Sequence, residues 1–292
     1  MSKPSLRAAL ERGKFVAAPG IHDMITAVVA NKVGFDFVYA SGYWMTASAH
    51  GIPDAGIATY TQMLDRVATL VRSSNASVIA DADTGYGGLL NVHHTVRGYE
   101  EAGVVAIQIE DQVFPKKCGH TPFKRVTPLI DMVEKIKVAC EARRNPEMLV
   151  IARTDSRQTG GYEEAVRRGI AYGEAGADIV FLEALESEDE MRDACRRIAK
   201  PMLANMADGG KTPIRPVKQL SEIGYAMAIF PALTGLAAAQ AAEHALRTLK
   251  IHGTSDTPDV PLFDFGEFNQ LIGFSEVWEF EKKWARDDAS GG

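Results

Sequence analysis

The sequence predicts an α/β fold, a (β/α)8 (TIM) barrel with a C-terminal helical extension. Eight short apolar runs recur along it, and none shows the strict alternation of a sheet with one wet face. That is the pattern of parallel strands buried on both sides. Segments of helical periodicity lie between the runs in strict order, and polar residues follow the runs instead of preceding them. Eight strands alternating with helices over roughly 230 residues suit a closed barrel, whose typical size is about 250. An open doubly wound sheet would show a Gly-x-Gly-x-x-Gly turn after its first strand, and "AAPGIHDMIT" lacks it.

In chain order the runs are "KFVAAPG", "FDFVYASG", "ASVIADAD", "VVAIQIED", "MLVIARTD", "ADIVFLEA", "KPMLANMA" and "YAMAIFPA". The helical segments include "TYTQMLDRVATLVRSS", "NVHHTVRGYEEAG", "PLIDMVEKIKVACEARR" and "GYEEAVRRGIAYGEAG". Gly34, Gly103, Gly176 and Gly224 each precede the next run, where a left-handed residue ends a helix. Tyr39, Ser41, Gly42, Asp81, Asp83, Glu110, Asp111, Arg153, Asp155, Glu183 and Asn205 all lie at or just after the ends of runs. In a barrel they gather at the carboxyl end of the strands, where barrel enzymes place their active sites. Residues 1–255 are expected to form the catalytic barrel and 256–292 the extension, whose Phe268, Leu271, Ile272, Val277, Trp278 and Phe280 form an apolar face that needs a cover. Its own barrel and a neighbouring subunit are both candidates.

Composition narrows the function class. Of 292 residues, 46% are hydrophobic and 24% charged, which is enough to bury a full core, and the net charge of −6 argues against nucleic acid or an anionic membrane as partner. No run reaches the ~18 apolar residues of a membrane span, and "MSKPSLRAALERGKF" lacks the apolar centre of a signal peptide. A cytoplasmic protein with a small-molecule substrate is expected. Cys118, Cys140 and Cys195 form no Cys-x-x-Cys pair, so neither a disulfide framework nor a zinc knuckle is indicated, and Cys140 and Cys195 read as small packed residues.

Two stretches carry chemistry. "DADTGYGG" places Asp81 and Asp83 two residues apart, a spacing that in a strand points both side chains one way. With Glu110 and the Asp54 of "GIPDAGI" they make four oxygen donors without nitrogen or sulfur, a set suited to Mg2+ or Mn2+. "DTG" is also the aspartic protease triplet, but that chemistry needs two such loops in a β-rich fold. Gly85, Gly87 and Gly88 read as a tight turn beneath the site. "PKKCGHTP" sets Cys118 among Lys116, Lys117 and His120, and positive neighbours favour thiolate. General acid/base chemistry, a metal pair, a redox thiol and a plain basic loop are the readings the stretch allows.

"KKCGH", preceded by "IEDQ" and "DADTGYG", resembles the isocitrate lyase and phosphoenolpyruvate mutase superfamily, in its cysteine-bearing lyase branch. "SGYWMTASAHGIPDAGI", "IARTD", "FLEA" and "LANM" extend the likeness from about Ser5 to the eighth run and into the tail. The resemblance implies a Mg2+-dependent lyase that splits 2-hydroxy dicarboxylates into a 2-oxo acid and a carboxylate. It implies Asp81 as direct Mg2+ ligand, with Asp83, Glu110 and Asp54 holding its waters. Tyr39, Ser41 and Gly42, with Tyr43 next in the chain, would bind the end that becomes the oxo acid. Arg153 would clamp a carboxylate, Glu183, Asn205, His120 and Gly119 would line the other end, Lys116 would reach the metal side, and Cys118 would be the acid. It further implies a homotetramer exchanging C-terminal helices.

Within that family, members cleaving 2-methylisocitrate usually read Ser-Gly-Gly-Gly where this chain has "SGYW", and dimethylmalate-cleaving members share "VIADADTGYGG" and "GYEE" with it. A malate with small alkyl groups, of the 2,3-dimethylmalate type, is therefore expected. A 2-methylisocitrate lyase, an oxaloacetate hydrolase and a non-catalytic dicarboxylate-binding barrel are the alternatives.

Overall fold

The structure is a computed structural model that describes residues 3–119 and 123–285. All eight runs are strands: β1 (Val16–Ile21), β2 (Phe37–Ala40), β3 (Ser77–Asp81), β4 (Ala106–Glu110), β5 (Leu149–Thr154), β6 (Ile179–Leu182), β7 (Met202–Asn205) and β8 (Met227–Phe230). They pair in parallel, each with the next, and β1 closes on β8 through Val16 opposite Met227 and Ala18 opposite Ile229. Every strand is buried along nearly its whole length. Helices cover the outer face, which is why the runs show no alternation.

Helix α1 (Leu6–Glu11) precedes the barrel, and its Leu6 and Ala9 belong to the interior cluster with Val16, Phe37, Ile151 and Met227. The helices that follow are α2 (Met24–Val33), α3 (Gly42–His50), α4 (Tyr60–Ser73), α5 (Leu89–Ala102), α6 (Leu129–Ala142), α7 (Arg157–Gly160), α8 (Tyr162–Glu174), α9 (Glu188–Arg197) and α10 (Val217–Ile223). Helix α4 shows the local logic. Thr59 caps it in a reciprocal pair with Gln62, and Met63, Val67, Leu70 and Val71 form the buried stripe at helical spacing. Gly34, Gly103 and Gly224 end α2, α5 and α10 in the left-handed conformation, as their positions predict.

Past β8 the chain continues as α11 (Leu233–His252), α12 (Phe265–Leu271) and α13 (Phe274–Trp284). Two compact units meet between Ala237 and Ala238, inside α11. In the second unit Phe263 stacks edge-on against Phe268, and Phe274 lies by Trp278. No residue of α12 or α13 is buried, and Ile272, Val277, Trp278 and Phe280 are exposed. Among the described residues no helix is long and apolar enough to cross a membrane.

Candidate active site

A cleft of about 330 Å3 opens at the carboxyl end of the barrel. Strand ends supply Tyr39, Asp81, Glu110, Arg153, Glu183, Asn205 and Ile229, the start of α3 supplies Ser41 and Tyr43, and loops supply Asp54, Lys116, Cys118 and Gly119. The residues expected to converge therefore do so, with two exceptions in the geometry. Asp83 is not in a strand: β3 stops at Asp81, and Asp83 has a φ of 49°. Its side chain reaches the site because the backbone turns there, with Tyr86 at 58° and Gly85 at 83° continuing the turn. Asp111 faces away from the cleft. It accepts from Thr154 Oγ1 (2.6 Å), the Asp155 N–H (2.9 Å), Arg168 Nη1 (3.0 Å) and the Tyr172 hydroxyl (2.7 Å), so it ties β4 and β5 to α8.

The metal side is a buried carboxylate cluster around one ammonium. Lys116 Nζ lies 2.5 Å from Asp54 Oδ1 and 2.7 Å from Asp83 Oδ1. Asp81 Oδ1 accepts from the Asp83 N–H (3.0 Å) and Gln108 Nε2 (3.3 Å). Gly42 lets this carboxylate in, because a Cβ at residue 42 would sit 2.7 Å from Asp81 Oδ2. Burial pushes the Asp83 carboxyl up to about 7, against the pull of Lys116 and with Asp81 and Asp54 adding to the rise. Burial also holds Glu110 well above the usual range. For Lys116, burial alone would lower the value, but Asp83, Asp54 and Glu110 outweigh it and keep the ammonium charged. Burial and the nearby Asp81 hold the Tyr39 phenol protonated, and it donates to Gln108 Oε1 at 2.9 Å.

The cluster is thus short of positive charge, and its donors are hard oxygens. That fits Mg2+ or Mn2+. Among the described residues no three Asp, Glu, His or Cys side chains converge tightly enough to hold an ion by themselves. The set accordingly suits a cation that keeps several of its waters.

The opposite side is organised by Arg153. Its guanidinium meets Asp155 (2.8 and 3.1 Å), Glu110 (3.3 Å) and Glu183 (3.1 Å), and it stacks 5.0 Å over the Phe181 ring. Burial alone would weaken its hold on the proton, but the carboxylates of Asp155, Glu183 and Glu110 raise it well above its ordinary value. Asn205 Nδ2 donates to Glu183 Oε2 (3.0 Å), while the buried Asn205 Oδ1 has no hydrogen-bond partner among the described residues. A buried acceptor of that kind calls for a ligand donor. Gly119 lies flat on this array, since a Cβ there would fall 2.2 Å from Arg153 Nη2. Cys118 is half-buried beside it, facing the same cleft. His120 lies outside the described residues.

The remaining lining combines an apolar surface of Tyr43, Trp44, Ile229, Pro231, Ala232 and Leu236 with Lys117, Asp208, Gly209 and Gly210. Tyr43 and Trp44 meet edge to face at 5.1 Å. Gly235 gives the indole its place, because a Cβ at residue 235 would lie 2.3 Å from the ring. Sequence reasoning missed Gln108 and Lys124. Gln108 sits inside an apolar run, where its polarity was the available signal, and Lys124 lies outside every motif.

A family model for phosphoenolpyruvate phosphomutase matches residues 6–250. The chain belongs to the phosphoenolpyruvate mutase/isocitrate lyase superfamily. Within this superfamily it is 44% identical over 280 residues to the 2,3-dimethylmalate lyase of Eubacterium barkeri, spanning 96% of this chain and 97% of that protein. It is also 44% identical over 278 residues to the 2-methylisocitrate lyase of Aeropyrum pernix, covering 95% of this chain and 88% of the relative. A crystal structure of 2,3-dimethylmalate lyase superposes with a TM-score of 0.90 at 37% identity, over 99% of this chain and 97% of the other. This superfamily member is a carbon–carbon lyase, and both of those relatives are named lyases.

Proposed function

We propose that the enzyme cleaves the C2–C3 bond of a 2-hydroxy dicarboxylate bearing small alkyl groups, of the 2,3-dimethylmalate type, with Mg2+ as cofactor. The observation that carries this reading is one cleft with three differently built walls: a carboxylate cluster, a thiol beside Arg153, and an apolar surface. Asp81 would ligate the cation, with Asp54, Asp83 and Glu110 holding its waters. When bound, the cation supplies Lewis acidity toward the 2-oxygen and the adjacent carboxylate. Ser41, Gly42 and Tyr43 begin α3, so the first N–H groups of that helix offer hydrogen bonds to this carboxylate. The Tyr39 phenol is held protonated with that proton directed to Gln108 Oε1, so it is not the base there.

At the other end Arg153, Glu183 and Asn205 position the second carboxylate. The hydroxyl proton passes to a carboxylate of the cluster as the C–O bond becomes a carbonyl, and the C2–C3 pair passes to C3. The resulting carboxylate aci-anion takes a proton from Cys118, giving a 2-oxo acid and a saturated carboxylate in equal amounts. The thiolate left behind faces the cleft that Lys117 and Arg153 also line, and cationic surroundings stabilise it. Tyr43, Trp44, Ile229, Pro231 and Leu236 receive the alkyl groups, and this largely apolar surface suits them better than a third carboxylate. This disfavours 2-methylisocitrate, although a relative with that activity is equally similar in sequence.

A substrate panel with Mg2+ tests the reading. Pyruvate and propionate are expected from 2,3-dimethylmalate, with loss of turnover in EDTA. Succinate from 2-methylisocitrate as the faster reaction, or oxalate from oxaloacetate, would replace this substrate assignment. We further propose a homotetramer in which the exposed apolar residues of α12 and α13 are covered by a neighbouring barrel.

A further inference from the structure

We propose that Lys124 is a positioning residue for Cys118; the proposal builds on the acid role given to that thiol above. Lys124 is separated from the thiol by six positions in sequence, yet its side chain is only 1% exposed and its ammonium ends beneath the cysteine's neighbour. It donates to the carbonyl of Gly119 and, at 2.8 Å, to Asp155 Oδ1. Asp155 is in turn held by two hydrogen bonds from Arg153, at 2.8 and 3.1 Å. The loop carbonyl next to the thiol is therefore tied, through one ammonium and one carboxylate, to the guanidinium assigned to the substrate carboxylate.

The other side of the thiol is tied as well. Gln112 Oε1 accepts the Lys117 N–H (3.0 Å), and its Nε2 donates to the Lys117 carbonyl (2.8 Å) and to Glu110 Oε1 (3.0 Å). Cys118 thus sits between two backbone anchors, each reaching a strand end of the site. The missing Cβ at Gly119 permits the close approach on which the Lys124 anchor depends. Lysine suits the position because a compact ammonium on a long stem presents three donors at the end of a narrow buried path. A buried ion pair is in itself weak evidence of a stabilising role. Its second acceptor, a loop carbonyl one residue from the acid, points to positioning.

The test is peptide-resolved alkylation of the metal-free full-length protein by iodoacetamide, comparing Lys124→Met with the wild type. Cys140 and Cys195 serve as internal controls. Loss of a charge-assisted hydrogen bond is expected to speed Cys118 labelling by about tenfold, with the two control rates unchanged. With 2,3-dimethylmalate and Mg2+, kcat is expected to fall by a similar factor while KM changes little. Unchanged Cys118 labelling in the folded variant, or an equal rise at all three cysteines, would overturn the proposal. If Lys124→Met does not fold, Lys124→Arg is read identically, because it keeps the charge beside Asp155 but puts a wider head under Gly119. The labelling arm needs no substrate, so a failure of the substrate assignment leaves it intact and the two failures are told apart.

Discussion

Cys118 and Asp83 are the residues on which the chemistry turns, and each has a distinct signature. Replacing Cys118 by Ala removes the proton donor and is expected to lower kcat about 10²- to 10⁴-fold. Mn2+ affinity, measured by titration calorimetry, should stay unchanged, because the carboxylate cluster is built from other loops. Asp83 yields a pH prediction. Its carboxyl holds a proton up to about 7 in the folded chain, whereas an unfolded Asp releases it near ~3.9. Between those values the folded state binds more protons, so this group's contribution to metal-free stability falls as pH rises through the window. Mg2+ competes with the same proton. Its thermal stabilisation, read as the rise in Tm, should be larger at about pH 8 than at about pH 5.5, and an equal gain at both would contradict the cluster as the cation's seat. Gly42→Ala is a third probe. A methyl 2.7 Å from Asp81 Oδ2 should cost about 1 to 3 kcal/mol in stability and weaken Mg2+ binding, both readable in thermal shifts with and without the ion.

The strands were the most legible elements, because a run buried on both faces carries its signal in every residue. All eight runs are strands, and the glycines chosen as helix ends are helix ends or adjoin them. Side-chain direction was harder to read. Asp81 and Asp83 look like strand neighbours in "DADTG", yet a left-handed residue ends the regular backbone between run and loop, and period-2 reasoning no longer applies. Asp111 follows Glu110 at the same strand end and points the opposite way, where its partners come from α8, far along the chain. Such partners leave no local pattern. Arg168→Met is expected to strip that buried carboxylate of its charged partner and cost about 3 kcal/mol, seen in urea unfolding, while kcat stays close to wild type. Lys124 was invisible for the same reason, since only the folded loop brings its ammonium to Gly119.

For the molecule as a whole, the sequence made the barrel and its active end legible, and left the extension ambiguous between two covers. In the second unit α12 and α13 have no buried residue, and the proposed homotetramer supplies the cover. Light scattering should find a tetramer for the full chain and fewer subunits per particle once residues 256–292 are removed; an unchanged subunit number would refute helix exchange.

The most direct measurement is product release from 2,3-dimethylmalate with Mg2+, followed by proton NMR for the wild type and Cys118→Ser side by side. Equal pyruvate and propionate from the wild type, with turnover at least about a hundredfold slower in the variant, is the expected result. Wild-type turnover in the variant, or no pyruvate from either protein, would contradict it.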